Sequence, residues 1–330
     1  MKAVLYEAPK SISFRDVPDP AVDTDTILIK VSYSFICATD IKTYRQGHPH
    51  IVPPTILGHE FSGIVESVGS DVESFSVGDC VTGSPFINCG TCESCFRGRP
   101  EVCSARKFPS NGAFAERIAM TNEYAKLGLF TVRPTFLRQA ALSEPVACVL
   151  NSARSFNPRP GESVLVVGAG FMGVLNALVL KTIFGVRAYI TDTNTERLKL
   201  PASLGIEIVE DTEKLSGFFN AIILTPPIPE LIIRYQSHVL PFGHLVLFGG
   251  YAKETKALFD PNMVHYTGSK IVGTSGFSPF DFKTAVNLIT DGAIDLNVFM
   301  TNMYEFSSSE FQKAFIDAMD GRALKAGFIL

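Results

Sequence analysis

The segment SVLVVGAGFMGVLNALVLKTIF, residues 163–184, carries the pattern that decides the fold of its half of the chain. An apolar, strand-forming run leads into a glycine turn, and an apolar stretch of helix length follows. The segment RAYITD, residues 187–192, then repeats the strand pattern. A strand, a turn, a helix and a second strand form the unit from which a doubly wound parallel sheet is built.

The rest of the chain separates into two kinds of pattern. Downstream, strand candidates alternate with segments of helix length. These strand candidates are NAIILT (220–225), GHLVLFGG (243–250) and KIVGTSG (270–276). Up to about residue 135 the pattern is instead a series of short β-rich segments broken by Gly, Pro, Asn and Asp. Examples of these β-rich segments are ILIKVSYSF (27–35), FSGIVESVG (61–69), CVTGSPFI (80–87) and AFAERIAM (113–120). We therefore predict an α/β protein with a mostly β domain and a parallel-sheet domain.

Three glycines predict a dinucleotide site. Gly168, Gly170 and Gly173 form G-x-G-x-x-G between the strand and the helix, where a backbone without side chains can approach a pyrophosphate. Asp192 ends the next strand, where a carboxylate accepts hydrogen bonds from ribose hydroxyls and repels a 2'-phosphate, which favours NAD over NADP. A glycine turn serving helix packing alone is the alternative, and the strand, helix and acidic residue together favour the cofactor. The predicted cofactor-binding residues are Gly168, Gly170, Phe171, Met172, Gly173, Asp192 and Arg197.

Size and charge limit the partners. The chain has 330 residues, enough for about two domains, and a net charge of −4 without a basic stripe, which argues against nucleic acid. Neither a signal peptide nor a membrane-spanning run is visible in the sequence. We expect a cytoplasmic protein that acts on small molecules and has no membrane partner.

Four cysteines predict a metal site. Cys89, Cys92, Cys95 and Cys103 have the spacing C-x2-C-x2-C-x7-C in a polar, loop-like stretch. Four thiolates close the coordination shell of zinc and leave no position for substrate, so this zinc is expected to be structural. A disulfide pair is the alternative, and the reducing cytoplasm disfavours it.

A second set of residues has the chemistry of a catalytic zinc site. Cys37, the pair His59 and Glu60, and the later Glu144 are residue types that bind zinc, and three protein ligands with one open position describe a catalytic centre. Neighbours on a strand point to opposite faces, so we expect His59 to be a ligand and Glu60 to lie just outside the shell. Asp40 is the expected acceptor for the ring N–H of His59. Taken singly, each residue also suits an ordinary structural role.

The order of motifs CATD, GHE, a four-cysteine lobe, SEP and GAGFMG resembles the zinc-containing medium-chain alcohol dehydrogenases. Within them it is most similar to the sorbitol, polyol and threonine dehydrogenase branch. The resemblance covers essentially the whole chain. It implies a GroES-like catalytic domain over residues 1–147 and 278–330, a zinc lobe at 89–103 and a Rossmann domain over 148–277. It also implies a homo-oligomer, a dimer or a tetramer, and we expect the tetramer.

The resemblance implies roles for individual residues. Cys37, His59 and Glu144 take the positions of the catalytic zinc ligands, with Glu60 beside them. Thr39 matches the hydroxyl that contacts the substrate alcohol in this family. Cys148, one helical turn after Glu144, is a rival ligand that we assign to the core.

The sequence departs from the family after the first zinc cysteine. The family glycine and histidine are replaced by Ala38 and Lys42. A proton relay that starts at Thr39 would therefore end at Lys42 or at one of two nearby histidines, His48 and His50. The predicted catalytic residues are Thr39, Lys42, His48 and Glu60.

The implied function is zinc-dependent oxidation of a secondary alcohol, with hydride passing to NAD+. Polyols, sugar alcohols and cyclitols are the expected substrates, and two zinc ions per chain are expected, one catalytic and one structural. The alternatives are an L-threonine or amino-alcohol dehydrogenase, including one for amino-cyclitols, and a non-catalytic NAD(H)-binding sensor or structural protein.

Overall fold

The chain divides into two compact units. The structure, a computed structural model, describes residues 1–210 and 218–330. The first unit contains Met1–Pro145 and Ser278–Leu330, and the second contains Val146–Phe277. Within the described residues, none of the helices combines the length and the apolar composition that a membrane-spanning helix requires.

The described residues form strands in both units. In chain order they are β1 (Lys2–Ala8), β2 (Ser11–Asp16), β3 (Thr26–Phe35), β4 (Thr55–Ile56), β5 (Glu60–Val68), β6 (Cys80–Gly83), β7 (Arg117–Thr121), β8 (Leu129–Thr131), β9 (Ser163–Val167), β10 (Arg187–Thr191), β11 (Glu207–Ile208), β12 (Phe219–Leu224), β13 (Val239–Leu247), β14 (Lys270–Gly273), β15 (Asn302–Glu305) and β16 (Ala326–Ile329).

Helices connect many of these strands. The α-helices are α1 (Ala38–Gln46), α2 (Glu93–Phe96), α3 (Asn122–Gly128), α4 (Leu137–Ala140), α5 (Ser143–Phe156), α6 (Phe171–Phe184), α7 (Lys199–Ser203), α8 (Glu230–Tyr235), α9 (Pro261–Thr267), α10 (Pro279–Thr290) and α11 (Ser308–Met319). Short 3-10 helices lie at Pro100–Val102, Pro134–Phe136, Thr195–Leu198, Gln236–His238 and Asn297–Phe299.

The first unit is built on a seven-stranded sheet with the order β15-β16-β3-β5-β6-β8, in which β7 also pairs with β3. A small sheet of order β2-β1-β4 accompanies it. The aromatic core includes Phe114, Phe311 and Phe328, whose rings meet at centroid distances of 5.4–6.0 Å. Because Phe328 lies in β16, this core ties the end of the chain to its beginning.

The second unit is a six-stranded parallel sheet of order β11-β10-β9-β12-β13-β14. Numbered within the unit, this order is 3-2-1-4-5-6, the arrangement of the dinucleotide-binding Rossmann fold. The strands are apolar because they are covered on both faces, and Leu165, Ile222 and Leu245 are almost completely buried.

The predicted fold class is confirmed by these two units. Several predicted strands are shorter than the patterns indicated. The segments 113–120 and 270–276 hold β7, which begins at Arg117, and β14, which ends at Gly273, and in the segment 80–87 β6 ends at Gly83. After Gly83 the hydroxyl of Ser84 donates to the backbone carbonyl of Phe86, and this local turn replaces the strand pairing.

Candidate functional site

Three adjacent strands bring distant residues to one end of the first unit's sheet. In the register of β16, β3 and β5, Phe35 pairs with Gly327 on one side and with Glu60 on the other. Cys37 follows Phe35 by two residues, and Lys325 precedes Gly327 by two. The antiparallel pairing therefore places Cys37, Glu60 and Lys325 at the same sheet end, although they lie far apart in the chain.

A metal-ligand group forms at this sheet end. The ligand atoms of Cys37, His59 and Glu60 all lie within 4.8 Å of one another. That His59 is a ligand and that Glu60 lies just outside the shell stays a prediction. The ligand atoms of these neighbours can converge because β5 begins only at Glu60, so His59 lies before the strand and is not bound by its alternation.

Asp40 orients the histidine of this group. Its buried Oδ1 lies 3.4 Å from Nδ1 of His59, and its Oδ2 accepts the backbone N–H of Cys37 at 2.9 Å. Burial acts to lower the pKa of His59, but the charges of Asp40 and Cys37 outweigh it and hold that pKa well above its usual value. The carboxylate of Asp40 therefore fixes the orientation of the ring through Nδ1.

Glu60 is held by a lysine that the sequence motifs did not indicate. Nζ of Lys325 lies 2.7 Å from Oε1 and 2.6 Å from Oε2 of Glu60, and both side chains are at most 4% exposed. Burial acts to lower the pKa of Lys325, and the negative charge of Glu60 leads the interactions that nevertheless raise it. The one sequence signal was a lysine directly before the apolar terminal segment AGFIL.

Glu144 approaches the same lysine from another element. It lies in the first turn of α5, and its charge contributes to raising the pKa of Lys325. It is not among the three residues whose ligand atoms lie within 4.8 Å of one another. The lysine therefore lies close to two carboxylates at the edge of the cysteine and histidine pair.

The predicted relay residues lie on α1 and in the loop after it. Thr39 is in the first turn of α1, two residues after Cys37, and Lys42 is exposed one turn later. His48 and His50 follow in the loop, with ring centroids 5.7 Å apart. Cys148 lies on α5, outside both groups of metal-ligating side chains found in the described chain.

The four clustered cysteines converge. Sγ of Cys92 lies 3.6 Å from that of Cys95 and 3.7 Å from that of Cys103, which lies 3.5 Å from that of Cys89. Tetrahedral zinc with sulfur ligands at ~2.3 Å has sulfur–sulfur edges of about 3.8 Å, so the cluster fits this ion. All seven cysteines are free of disulfide bonds.

The electrostatics of the cluster also call for a cation. Backbone N–H groups lower the pKa of Cys92 to about 5, whereas burial raises the pKa of Cys95 to about 12. One thiolate is thus stabilised by the backbone, but several thiolates at these distances repel one another. A divalent ion removes that repulsion and fixes the lobe.

We expect Cys95→Ser to lower stability before it lowers turnover. Loss of one thiolate opens the shell, and structural zinc contributes several kcal/mol to the folding of the segment it closes. Zinc content should fall from two ions to one, and limited proteolysis should cut within residues 89–103. Cys80→Ser is the matched control, since Cys80 is free and belongs to neither metal-ligand group of the described residues. Equal zinc content and equal protease resistance in both variants would contradict a structural zinc.

In the second unit, the glycine turn has the geometry of a phosphate-binding loop. Gly168 has a φ of 95°, which favours glycine, and a Cβ on Gly173 would lie 1.8 Å from the carbonyl oxygen of Gly168. At Gly170 an added Cβ would meet no atom within 4 Å, so the backbone there is open. The turn leads into α6, which begins with Phe171 and Met172. The backbone N–H groups at the N-terminus of this helix suit a pyrophosphate.

Asp192 is fixed directly beneath this turn. Its Oδ2 accepts the backbone N–H of Ala169 at 2.6 Å, and its Oδ1 accepts that of Asn194 at 2.8 Å. Each carboxylate oxygen has a further lone pair, which leaves it able to accept a ribose hydroxyl. Arg197 lies exposed on the following 3-10 helix.

Comparison with known proteins gives matches along the whole chain. The alcohol dehydrogenase GroES-like domain family matches residues 23–127. L-threonine 3-dehydrogenase of Streptomyces coelicolor is 30% identical over 345 residues, covering 98% of each chain. D-arabitol-phosphate dehydrogenase of Enterococcus avium is 29% identical, covering 98% of this chain and 96% of its own.

Solved structures give the same picture of the fold. The crystal structure of 2R,3R-butanediol dehydrogenase from Bacillus subtilis superimposes with a TM-score of 0.88, covering 100% of this chain and 99% of that one. At 23% identity this likeness concerns the fold.

Proposed function

The chain belongs to the zinc-containing medium-chain alcohol dehydrogenase family, in its sorbitol, polyol and threonine dehydrogenase branch, and from this premise we propose its reaction. The protein is proposed to oxidise a secondary alcohol of a polyol, sugar alcohol or cyclitol, with NAD+ as hydride acceptor. The observation that carries this proposal is the convergence of Cys37 and His59 beside Asp40, because three such groups prepare a metal site with an oriented histidine.

We propose that Cys37, His59 and Glu144 hold the catalytic zinc. Oε1 of Glu60 accepts a hydrogen bond from Lys325, and Oε2 lies 2.6 Å from the same nitrogen without forming a hydrogen bond. This ion pair supports a position of Glu60 beside the metal rather than in its shell. Zinc bound there would act as a Lewis acid and lower the pKa of a ligated hydroxyl. Thr39, in the first turn of α1, is placed to accept the proton of the substrate hydroxyl.

NAD is the proposed cofactor. The fixed carboxylate of Asp192 supports it, because a 2'-phosphate beside this charge would be repelled. Gly168, Gly170 and Gly173 with Phe171 and Met172 would surround the pyrophosphate, and Arg197 would lie near the adenine. Two zinc ions per chain, a cytoplasmic location and a homotetrameric assembly complete the proposal.

An L-threonine or amino-alcohol dehydrogenase is the second candidate, because one of the relatives in the same branch carries the threonine activity. A non-catalytic NAD(H)-binding protein is disfavoured by the metal-ligand group, for which such a protein has no use.

The zinc-loaded protein is expected to oxidise at least one member of a panel of polyols, cyclitols and L-threonine. The panel is assayed with NAD+ and with NADP+, and metal content is measured in parallel. We expect about two zinc ions per chain and a preference for NAD+. Chelation should remove the exposed catalytic ion first, so activity should fall before the fold is lost. Tight NADH binding without oxidation of any panel member by the two-zinc protein would contradict an enzymatic role.

A further inference from the structure

Different restraints hold the side chains of the metal-ligand group. Asp40 orients the cysteine and the histidine, since its Oδ1 lies 3.4 Å from Nδ1 of His59 and its Oδ2 accepts the backbone N–H of Cys37. Lys325 holds the third member, Glu60, through the 2.7 Å hydrogen bond to Oε1. These restraints come from different elements, α1 and the residue directly before β16. The side chain of Glu60 can therefore change its position without moving the cysteine and the histidine.

Glu60 has a fixed backbone and a carboxylate that is only partly satisfied. Its backbone pairs with Phe35 of β3, and its carbonyl oxygen accepts the hydroxyl of Ser34 at 3.1 Å. The residue is 1% exposed, and its Oε2 finds no hydrogen-bond partner among the described residues. A buried carboxylate oxygen without a hydrogen bond is unfavourable. Since its carboxylate lies within 4.8 Å of the ligand atoms of Cys37 and His59, a metal ion held by those two would offer Glu60 a second partner.

The backbone next to Lys325 is anchored at the start of β16. The carbonyl oxygen of Ala326 accepts the backbone N–H of Ile36 at 2.9 Å, which ties the lysine to the chain just ahead of α1. The side chain is 4% exposed, so its ammonium group depends on the carboxylates around it. The charges of Glu60 and Glu144 both act on it. Lys325 is therefore a fixed positive charge that competes with a bound metal ion for Glu60.

The carboxylates near the metal position outnumber those that an open site needs. A catalytic zinc site has three protein ligands and one position for water or substrate. With Cys37, His59 and Glu144 in the shell, as proposed above, Glu60 would be a fourth protein ligand and would close the site. The hydrogen bond from Lys325 gives this additional carboxylate a different partner. The lysine therefore affects whether the shell stays open.

We propose that Lys325 is a positioning residue that holds Glu60 out of the zinc shell and so keeps one coordination position open for the substrate. The proposal rests on the proposed dehydrogenase function, since it concerns the zinc of that same site. Without the lysine, Glu60 would be a buried carboxylate without its counter-charge, and the bound zinc would become its partner. Lys325 acts through Glu60 and does not itself touch the reacting atoms.

The zinc affinity of Lys325→Met gives a test whose sign separates positioning from damage. Because Glu60 becomes an additional ligand, we expect the catalytic zinc to bind roughly tenfold more tightly, the lower end of the range in which groups next to a metal site change its affinity. Affinity is measured by competition with a chromophoric chelator, in protein that retains its four-cysteine zinc. Damage to the site would weaken zinc binding instead.

An imidazole titration shows directly whether the coordination position is open. Co2+ replaces the catalytic zinc, because its visible absorption reports changes in its ligands. The wild-type protein should bind imidazole at the open position, and Lys325→Met should need a roughly tenfold higher concentration, since Glu60 occupies that position. Imidazole is a neutral ligand, so loss of the lysine charge alone would leave its binding unchanged.

Steady-state kinetics should show the same competition. In Lys325→Met the substrate hydroxyl has to displace Glu60, so KM for the best alcohol of the panel should rise about tenfold while kcat is largely retained. A distorted site would lower kcat as well.

Matched variants separate the effect of Glu60 from that of the lost charge. Lys325→Met combined with Glu60→Gln removes the competing carboxylate, and we expect zinc affinity, imidazole binding and KM to return toward the wild-type values. Lys325→Arg keeps the positive charge and should resemble the wild-type protein. Lys126→Met is the control, since Lys126 is an exposed lysine of the same unit. If Lys325→Met is too unstable to purify, Lys325→Gln removes the same charge and should change the three readouts in the same directions.

The possible results distinguish the positioning role from the dehydrogenase function. Wild-type imidazole binding in Lys325→Met or Lys325→Gln, or zinc binding no tighter than in the wild-type protein, would overturn the positioning role. Oxidation of an alcohol by the two-zinc wild-type protein would still support the function in that case. Tighter zinc and weaker imidazole binding in the variants, without oxidation of any alcohol by the wild-type protein, would support the role of Lys325 and overturn the function.

Discussion

Cys37→Ser is expected to lower kcat for alcohol oxidation by at least about 10³-fold with the fold intact, because the site would lose the thiolate that is proposed to hold zinc. A loss of 10³-fold corresponds to about 4 kcal/mol of transition-state stabilisation. Lewis-acid catalysis by a bound zinc would supply several kcal/mol, which is of this size. Turnover is measured in steady state, zinc content by mass spectrometry and fold by circular dichroism.

Cys80→Ser serves again as the control for the loss of a thiol. Cys80 is partly buried on β6 of the same unit and is not among the metal-ligating groups of the described residues. We expect the control to keep both zinc ions and its turnover, and Cys37→Ser to keep only the four-cysteine ion. Normal turnover of the best substrate by Cys37→Ser would show that the zinc mechanism is wrong.

Lys325→Met should destabilise the protein by about 3–5 kcal/mol, the usual effect of removing one partner from a buried ion pair. The methionine fills a similar volume, so the main change is an uncompensated charge on Glu60, which is 1% exposed. Zinc bound at the adjacent Cys37 and His59, as proposed, would offer a replacement positive charge. The loss should therefore be larger in metal-free protein than in zinc-loaded protein, as measured by urea unfolding.

A double variant separates charge from packing in this pair. Lys325→Met combined with Glu60→Gln removes both charges, and we expect it to recover part of the stability that Lys325→Met loses. Lys126→Met controls for the loss of an exposed lysine in the same unit. If Lys325→Met had the same free energy of unfolding as the wild-type protein, both with and without zinc, the ion pair would not stabilise the fold.

Most of the fold and of the candidate sites was predicted from patterns of residues that lie close together in the sequence. The strand, glycine turn and helix of residues 163–184 indicated the parallel sheet, and the structure has it as β9, α6 and their neighbours. Cys89, Cys92, Cys95 and Cys103 could be grouped from spacing alone, because their backbone cannot separate them far. Such patterns are readable because the residues that cooperate are close in sequence.

A local rule could not settle the geometry at the start of a strand. Alternation along a strand was expected to set His59 and Glu60 apart as ligands, yet β5 begins only at Glu60, so the rule does not extend to the histidine, whose ligand atom lies within 4.8 Å of that of Glu60. Element boundaries depend on which backbone groups find partners, and for β5 those partners lie on β3 and β6. No property of the segment GHE reveals where that pairing starts.

By itself, the sequence determined the α/β class, the glycine turn with Asp192 and the four-cysteine cluster, since each depends on neighbouring residues. Only the tertiary structure decided that Lys325 holds Glu60, 265 positions away. The physical reason is the register of β16 against β3 and of β3 against β5, which is set by packing of the whole sheet. A buried charge is stable only with a partner, and that partner is supplied by the returning chain end rather than by any motif.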